Sequence, residues 1–112
     1  MDDSTKPSNA GPSGPSPAQQ SLQQATIKIY GDVQGVFFRA DSREKARELN
    51  IKGWIKNEDD GTVSCIAQGP PENLQAFLDW CRRGPPDARV DKLDAKIENI
   101  AQTTFSAFTI RY

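Results

Sequence analysis

The chain of 112 residues carries a formal charge of −1 at pH 7 and has no histidine. Without imidazole, the usual general base, the Ser/His and Cys/His nucleophile pairs and most zinc sites are excluded. Of the 14 basic and 15 acidic residues, Lys6, Asp2 and Asp3 lie near the N-terminus, which leaves 13 of each in the rest of the chain. This balance disfavours nucleic acid and anionic membranes as partners.

Residues 1–24 form a stretch of low hydrophobicity that holds four of the eight prolines and no aromatic residue. Such a segment buries too little apolar surface to offset its ordering entropy, which predicts a disordered N-terminal tail. It lacks the apolar core of a secretory signal, and no run in the chain is long and apolar enough to span a membrane. The predicted domain therefore comprises residues 25–112.

The first predicted elements are a strand and a helix joined by a loop. Residues 25–31 alternate, with Ile27 and Ile29 on one face, as in a half-buried strand. The segment from about residue 38 to residue 50 has an apolar stripe at helical spacing, and Asn50 fits a left-handed helix stop. The stripe consists of Phe38, Ser42, Ala46 and Leu49.

A hairpin and a second helix follow. Residues 51–57 and 62–68 are predicted strands, and the Asp60-Gly61 pair between them favours a tight turn. The sequence Gly-Pro-Pro-Glu then favours a helix start, because proline fits a first turn and a carboxylate faces the positive end of the helix dipole. The apolar stripe of this helix consists of Leu74, Phe77, Leu78 and Cys81. Gly84 and two prolines end it.

Two more strands are predicted near the C-terminus. Residues 88–99 alternate at Leu93, Ala95 and Ile97, and residues 105–112 alternate at Phe108, Ile110 and Tyr112. The order β-α-β-β-α-β with a short closing strand predicts an α+β fold of the ferredoxin-like type. This is a two-layer sandwich in which two helices cover one face of an antiparallel sheet.

The run Gly-Asp-Val-Gln-Gly-Val-Phe-Phe-Arg, residues 31–39, connects the first strand to the first helix. Two glycines four residues apart allow positive φ angles, so that successive N–H groups turn toward one point and bind an anion. Arg39 adds a positive charge and a planar fork of donors that matches phosphate oxygens. The predicted ligand is a phosphoryl group. The spacing differs from the known nucleotide-binding loops, which argues against a nucleotide.

A second motif, Gly-Trp-Ile-Lys-Asn-Glu-Asp-Asp-Gly-Thr-Val, occupies residues 53–63. Together the two motifs resemble the acylphosphatase family, whose hallmarks are Gly-x-Val-Gln-Gly-Val-x-Phe-Arg and Gly-Trp-x-x-Asn-x-x-Asp-Gly-x-Val. The resemblance covers residues 25–112. It implies an enzyme that hydrolyses acyl phosphates to a carboxylate and inorganic phosphate, without a metal or cofactor.

The resemblance also implies roles for individual residues. Arg39 would bind the phosphoryl group, and Asn57 would position the attacking water. The backbone of the loop would form the phosphate cradle. Its residues are Asp32, Val33, Gln34, Gly35, Val36, Phe37 and Phe38. The carboxylate of Asp32 would weaken phosphate binding unless it turns to solvent or caps a backbone N–H.

Other side chains have both a functional and a structural interpretation. Glu58, Asp59 and Asp60 are able to chelate magnesium, but acidic residues at a hairpin tip are usually a solvated turn. Trp54 and Trp80 are able to stack on an aromatic ligand, although partial burial in the core is the simpler interpretation for Trp80. The pair Arg82-Arg83 is explained by the helix dipole.

Two further functions remain as alternatives. RNA binding on the sheet face requires aromatic residues on the central strands, and residues 62–68 have none. Acylphosphatase-like domains also form accessory parts of larger maturation enzymes that act on carbamoyl phosphate. The second alternative is therefore an acylphosphatase-like module that binds phosphate or carbamoyl phosphate without independent turnover. Because only a tail is attached to the domain, we expect a stand-alone enzyme. We also expect a monomer with no nucleic-acid or membrane partner.

The two cysteines bear on the compartment. Cys65 and Cys81 are sixteen residues apart, which is neither a metal-binding nor a redox spacing, and each lies on an apolar stripe. Buried, reduced thiols are the favoured interpretation, and they are typical of a cytoplasmic protein.

Overall fold

A computed structural model describes residues 21–112. It contains five strands and two helices. In chain order these are Leu22–Asp32 (β1), Phe38–Glu48 (α1), Lys52–Asn57 (β2), Val63–Gly69 (β3), Pro71–Arg83 (α2), Arg89–Ile100 (β4) and Phe108–Arg111 (β5). This order confirms the predicted arrangement of elements.

The boundary predicted between tail and domain lies inside β1. The strand begins at Leu22, and Gln23 and Gln24 pair with both β3 and β4. Residues 22–24 therefore belong to the sheet, because two neighbouring strands satisfy their backbone groups even though their side chains are polar. The rest of the predicted tail, residues 1–20, lies outside the described residues.

The sheet has the strand order β4-β1-β3-β2-β5. β1 runs antiparallel to β3 and β4, and β2 runs antiparallel to β3. The prediction of an antiparallel sheet is wrong for β5, which runs parallel to β2. The reason is that β4 ends at the end of the sheet where β2 begins, so a connection that crosses there enters β5 in the direction of β2.

Gln68 fixes this crossing connection. Its side chain is buried, and its amide donates to the hydroxyl of Thr104 at 2.9 Å and accepts from the backbone N–H of Thr104 at 2.8 Å. The backbone N–H of Gly53 also donates to the carbonyl of Ala107 at 3.0 Å. These bonds hold β5 against the edge of β2. Because β5 runs parallel to β2, the residue that follows β5 lies at the end of the sheet where β2 ends.

The hydrophobic core lies between one face of the sheet and the two helices. Alternate residues of β1 and β3, such as Ile27 and Cys65, are fully buried there. The predicted stripe of α2 is buried throughout, and so are Phe38, Ser42 and Ala46 of α1. On β4 the helices cover Val90 and Leu93 only in part and leave Ala95 and Ile97 exposed. The alternation predicted for residues 93, 95 and 97 therefore does not correspond to fully buried side chains.

The predicted helix ends agree with the structure. Asn50 has φ 55° two residues after the end of α1, and Pro71 is the first residue of α2. Cys65 and Cys81 are buried free thiols, and burial raises the pKa of both far above the ordinary value, which leaves them protonated. None of the helices within residues 21–112 combines the length and apolar character needed to cross a membrane.

Candidate active site

The loop after β1 and the C-terminal end of β2 meet at one end of the sheet, as expected for this fold. β1 and β2 both run antiparallel to β3, so their ends point the same way. A hollow of about 250 Å³ lies between them. It is lined by Val33, Gly35, Phe37, Phe38, Arg39, Ala40, Asn57, Ile110 and Tyr112. Both residues proposed from the sequence as catalytic therefore face one hollow.

The backbone of the loop turns at Gly35 and Phe37, which have φ 74° and φ 62°. No atom lies within 4 Å of the position that a Cβ on Gly35 would take, so only the backbone angle there favours glycine. Phe37 precedes α1 in a left-handed conformation, and no side chain caps the N–H groups of the helix. These N–H groups are donors at the positive end of the helix dipole, where an anion is favoured.

Gly31 has a different role from the one predicted. It lies within β1 at φ 132°, where the register with β4 shifts. A Cβ on Gly31 would lie 2.0 Å from the carbonyl oxygen of Arg89. The first glycine of the motif is thus required by close strand contact, and Phe37 supplies the second left-handed position of the loop.

Gln34 connects the loop to the turn that follows Asn57. Its side-chain amide donates to the backbone carbonyls of Glu58 and Thr62, both at 2.8 Å. The side chain does not line the hollow, and the role predicted for Gln34, a backbone contribution to the phosphate cradle, stays a prediction. Its position fixes the distance between the loop and the end of β2.

Asp32 also lies outside the hollow. Its carboxylate accepts from Arg89 at 2.9 Å, on the exposed surface, and Arg89 also pairs with Asp91. The carboxylate therefore turns to solvent and is neutralised by a neighbouring cation, which removes the expected conflict with a bound anion. Val36 is the third residue of the predicted cradle, after Gln34 and Asp32, that does not line the hollow, and it packs against the core.

Arg39 is the second residue of α1, and its guanidinium carbon lies 4.9 Å from the centroid of the Tyr112 ring. Within residues 21–112 no carboxylate lies within ion-pair distance of Arg39. Among residues 21–112, the guanidinium of Arg39 thus contacts a ring face and has no carboxylate that neutralises its charge. Tyr112 was not predicted as a site residue. The sequence shows the alternation of Ile110 and Tyr112, but no local pattern indicates that β5 lies beside β2.

Asn57 is the last residue of β2 and faces the same hollow. Its side-chain oxygen Oδ1 is buried and has no hydrogen-bond partner within residues 21–112. A buried acceptor without a partner costs about 1–3 kcal/mol, and of the unpartnered side-chain atoms within residues 21–112, which include Ser42 Oγ and Arg43 Nε, only Oδ1 of Asn57 belongs to a residue that lines the hollow. Oδ1 of Asn57 is thus placed to accept a hydrogen bond from a molecule in the hollow.

The acidic turn after β2 is organised by hydrogen bonds within itself. The carboxylate of Asp60 accepts from the backbone N–H and the hydroxyl of Thr62, and it pairs with Lys28 at 3.2 Å. These bonds to Thr62, followed by the contact with Lys28, lower the pKa of Asp60 to about 2. The carboxylate of Asp60 therefore stabilises the turn, which favours the structural interpretation of the acidic hairpin tip.

The remaining candidates lie away from the hollow. Trp80 packs on Phe38 with ring centroids 5.9 Å apart, which confirms its place at the edge of the core. Trp54 lies on the uncovered face of the sheet with Arg111 stacked 4.5 Å from its ring. Arg82 pairs with Asp79 on the surface of α2.

Comparisons with known proteins identify the family of the chain. The family model for acylphosphatase matches residues 25–110. An acylphosphatase from Methylococcus capsulatus is 42% identical over 89 residues, which cover 80% of this chain and 96% of that protein. The crystal structure of an acylphosphatase from Bacillus subtilis superposes with a TM-score of 0.76 at 33% identity and covers 80% of this chain and 99% of its own. HypF from T. kodakarensis matches with a TM-score of 0.69 at 28% identity, over 80% of this chain and 12% of HypF.

The fold and the paired motifs define a ferredoxin-like domain with a candidate anion site at the end of its sheet. The chain belongs to the acylphosphatase family.

Proposed function

We propose that the protein is an acylphosphatase, a hydrolase that cleaves the anhydride bond of acyl phosphates to give a carboxylate and inorganic phosphate. One observation carries the proposal. Arg39 and the buried Oδ1 of Asn57, which have no ion-pair or hydrogen-bond partner respectively among residues 21–112, face a single hollow at the start of a helix.

The phosphoryl end of the substrate binds at the loop and Arg39. The guanidinium supplies two parallel donors to phosphate oxygens, and the N–H groups of the loop and the first turn of α1 supply the others. These donors stabilise the charge that the equatorial oxygens carry during transfer, and they align the phosphorus for in-line attack.

Asn57 orients the water that attacks phosphorus. Its amide is not a base, but Oδ1 accepts a hydrogen bond from the water and so fixes its direction. A carboxylate is a good leaving group, so no general acid is required. No imidazole is available to take the proton, and we assign it to a phosphate oxygen of the substrate itself.

The same reasoning supports turnover without a metal or cofactor. Positive charge comes from Arg39 and backbone N–H groups, and among residues 21–112 no cluster of three potential metal-ligating side chains is present. The substrate is a small acyl phosphate. The buried free thiols of Cys65 and Cys81 support a cytoplasmic location.

The alternative of a phosphate- or carbamoyl-phosphate-binding module without turnover is not favoured. The match spans almost the whole of the acylphosphatases from M. capsulatus and B. subtilis, but only 12% of HypF. The pair Arg39 and Asn57 also offers a binding group and a water-orienting group together, and binding alone requires only the first.

The test is release of phosphate from acetyl phosphate or benzoyl phosphate in excess EDTA. We expect turnover by the wild type, and loss of both turnover and phosphate binding in Arg39→Ala. Arg39→Lys should restore little, because one ammonium does not reproduce two parallel donors. Arg82→Ala, which removes an exposed arginine from α2, is the matched control and should behave as the wild type. Full turnover by Arg39→Ala would contradict the proposal.

A further inference from the structure

β4 is an edge strand, and its outer side has no strand partner within residues 21–112. It is also the longest strand of the sheet, from Arg89 to Ile100. An edge of this length exposes a row of backbone N–H and C=O groups that another strand is able to pair with. Natural proteins usually protect such an edge with charged side chains.

The charges of β4 on the uncovered face of the sheet alternate in sign. This face carries Lys92, Asp94, Lys96 and Glu98, as their pairing with alternate residues of β1 shows. Read in the opposite direction, the order of signs is inverted. Two copies of β4 placed antiparallel are therefore complementary when Ala95 faces Ala95 of the second copy, because each lysine then lies opposite a carboxylate.

Neighbouring registers are repulsive. A strand register is able to shift only in steps that keep side chains on the same face. With Asp94 at the centre, Asp94 faces its own copy and Lys92 faces Lys96. With Lys96 at the centre, Lys96 faces its own copy and Asp94 faces Glu98. The alternation thus selects the register centred on Ala95 against both neighbours.

The helix-covered face of β4 supports the same register. Ile97 is 43% exposed, and the other two exposed large hydrophobic residues, Phe37 and Tyr112, line the hollow of the active site. In the register centred on Ala95, Ile97 lies opposite Leu93 of the second copy. Apolar pairs directly opposite each other stabilise neighbouring strands.

From these observations we infer that a second copy of this chain docks on the β4 edge, so that two five-stranded sheets join into one with a two-fold axis at Ala95. Within the described part of the chain, the only ion pair formed by Lys92, Asp94, Lys96 and Glu98 joins Lys92 to Asp94 at 3.5 Å, and both side chains are largely exposed. Such a surface pair is weak and exchanges readily for cross-strand pairs. This dimer replaces the monomer expected from the sequence.

Sedimentation of the full chain over a range of concentrations tests the inference through two charge-reversed variants. K92E/K96E makes all four positions acidic, and D94K/E98K makes all four basic. Wild type should shift from one chain toward two with rising concentration, and each variant alone should remain a single chain. An equimolar mixture of the two variants should form a heterodimer, because every opposed pair then has opposite signs.

The control R47E/R83E makes the same change in net charge as K92E/K96E, but on the helices, and should dimerise as the wild type does. Circular dichroism and thermal unfolding check that every variant is folded. A wild type that sediments as one chain at every concentration up to about 1 mM, where even very weak association is populated, would overturn the inference. So would dimerisation that persists in both variants, or a mixture of the variants that does not associate.

Discussion

Replacing Asn57 with alanine should separate catalysis from stability. Oδ1 of Asn57 is buried without a partner in residues 21–112, so its removal breaks no hydrogen bond of the fold and ends a desolvation cost of about 1–3 kcal/mol. We expect the free energy of unfolding to stay within about 0.5 kcal/mol of the wild type or to rise. If Asn57 orients water, kcat should fall by about 100-fold, which is roughly 2.7 kcal/mol of barrier.

Asn73 offers a matched control for this change. Its side-chain amide donates to the carbonyl of Leu49 at 2.9 Å, away from the hollow. Asn73→Ala should therefore show the opposite behaviour, with a loss of stability of about 1 kcal/mol and unchanged turnover. The same side chain is removed in both variants, so the difference between them reports the surroundings of the side-chain amide, which donates a hydrogen bond in Asn73 and has an unpartnered oxygen in Asn57.

The assay combines three measurements on both variants: urea unfolding, kcat with benzoyl phosphate, and the affinity for inorganic phosphate by calorimetry. Asn57→Ala should keep its phosphate affinity within a few-fold of the wild type, because Arg39 and the loop bind the anion. A loss of phosphate affinity as large as that of Arg39→Ala would make Asn57 a second anion ligand. Loss of stability with full kcat would refute the assignment to water.

Three further predictions follow from the contacts around the site. Gln34→Ala should lower kcat more than phosphate affinity, measured as above, because it removes both 2.8 Å bonds that hold the loop to the turn after β2. In urea unfolding, Gly31→Ala should cost more stability than Gly35→Ala. A Cβ on Gly31 meets the Arg89 carbonyl at 2.0 Å, whereas Gly35 carries only the left-handed penalty of about 1–2 kcal/mol. Asp60 has a folded pKa of about 2, below its ordinary value of 3.8, so its contribution to stability is present above pH 4 and is lost as the pH falls toward 2. The stability difference between wild type and Asp60→Asn, followed against pH, should therefore shrink over this range, and a constant difference would contradict the assignment.

The parts of the site that the sequence predicted are those set by local order. Arg39 follows the loop directly and Asn57 ends a strand, so a βαβ topology with two parallel strand ends is enough to bring them together. The helices were equally visible, because the stripe from Leu74 to Cys81 has helical spacing and is flanked by proline and glycine.

The parts that the sequence did not predict depend on contacts between distant residues. The hydrogen bonds of Gln34 reach residues 58 and 62, and the strand contact that requires Gly31 involves residue 89. The neutralisation of Asp32 likewise depends on the register of β1 with β4. No local propensity encodes a register, so a motif is able to identify these residues but not to assign their roles.

The electrostatics of the hollow favour an anion because the fold keeps carboxylates of the described residues away from Arg39. A carboxylate partner would hold the guanidinium in place, but it would also neutralise the charge and compete with phosphate. The Tyr112 ring contacts the guanidinium of Arg39 and carries no charge that would neutralise it. Asp32, which belongs to the loop itself, is paired with Arg89 outside the hollow. Among residues 21–112, a cation without an ion-pair partner and an unpartnered acceptor, Oδ1 of Asn57, therefore lie at one place. Both are costs to the free fold, and under the proposed function both are relieved when a phosphoryl group and its attacking water occupy the hollow. The part of this relief that is larger in the transition state than with bound substrate is the part that raises kcat.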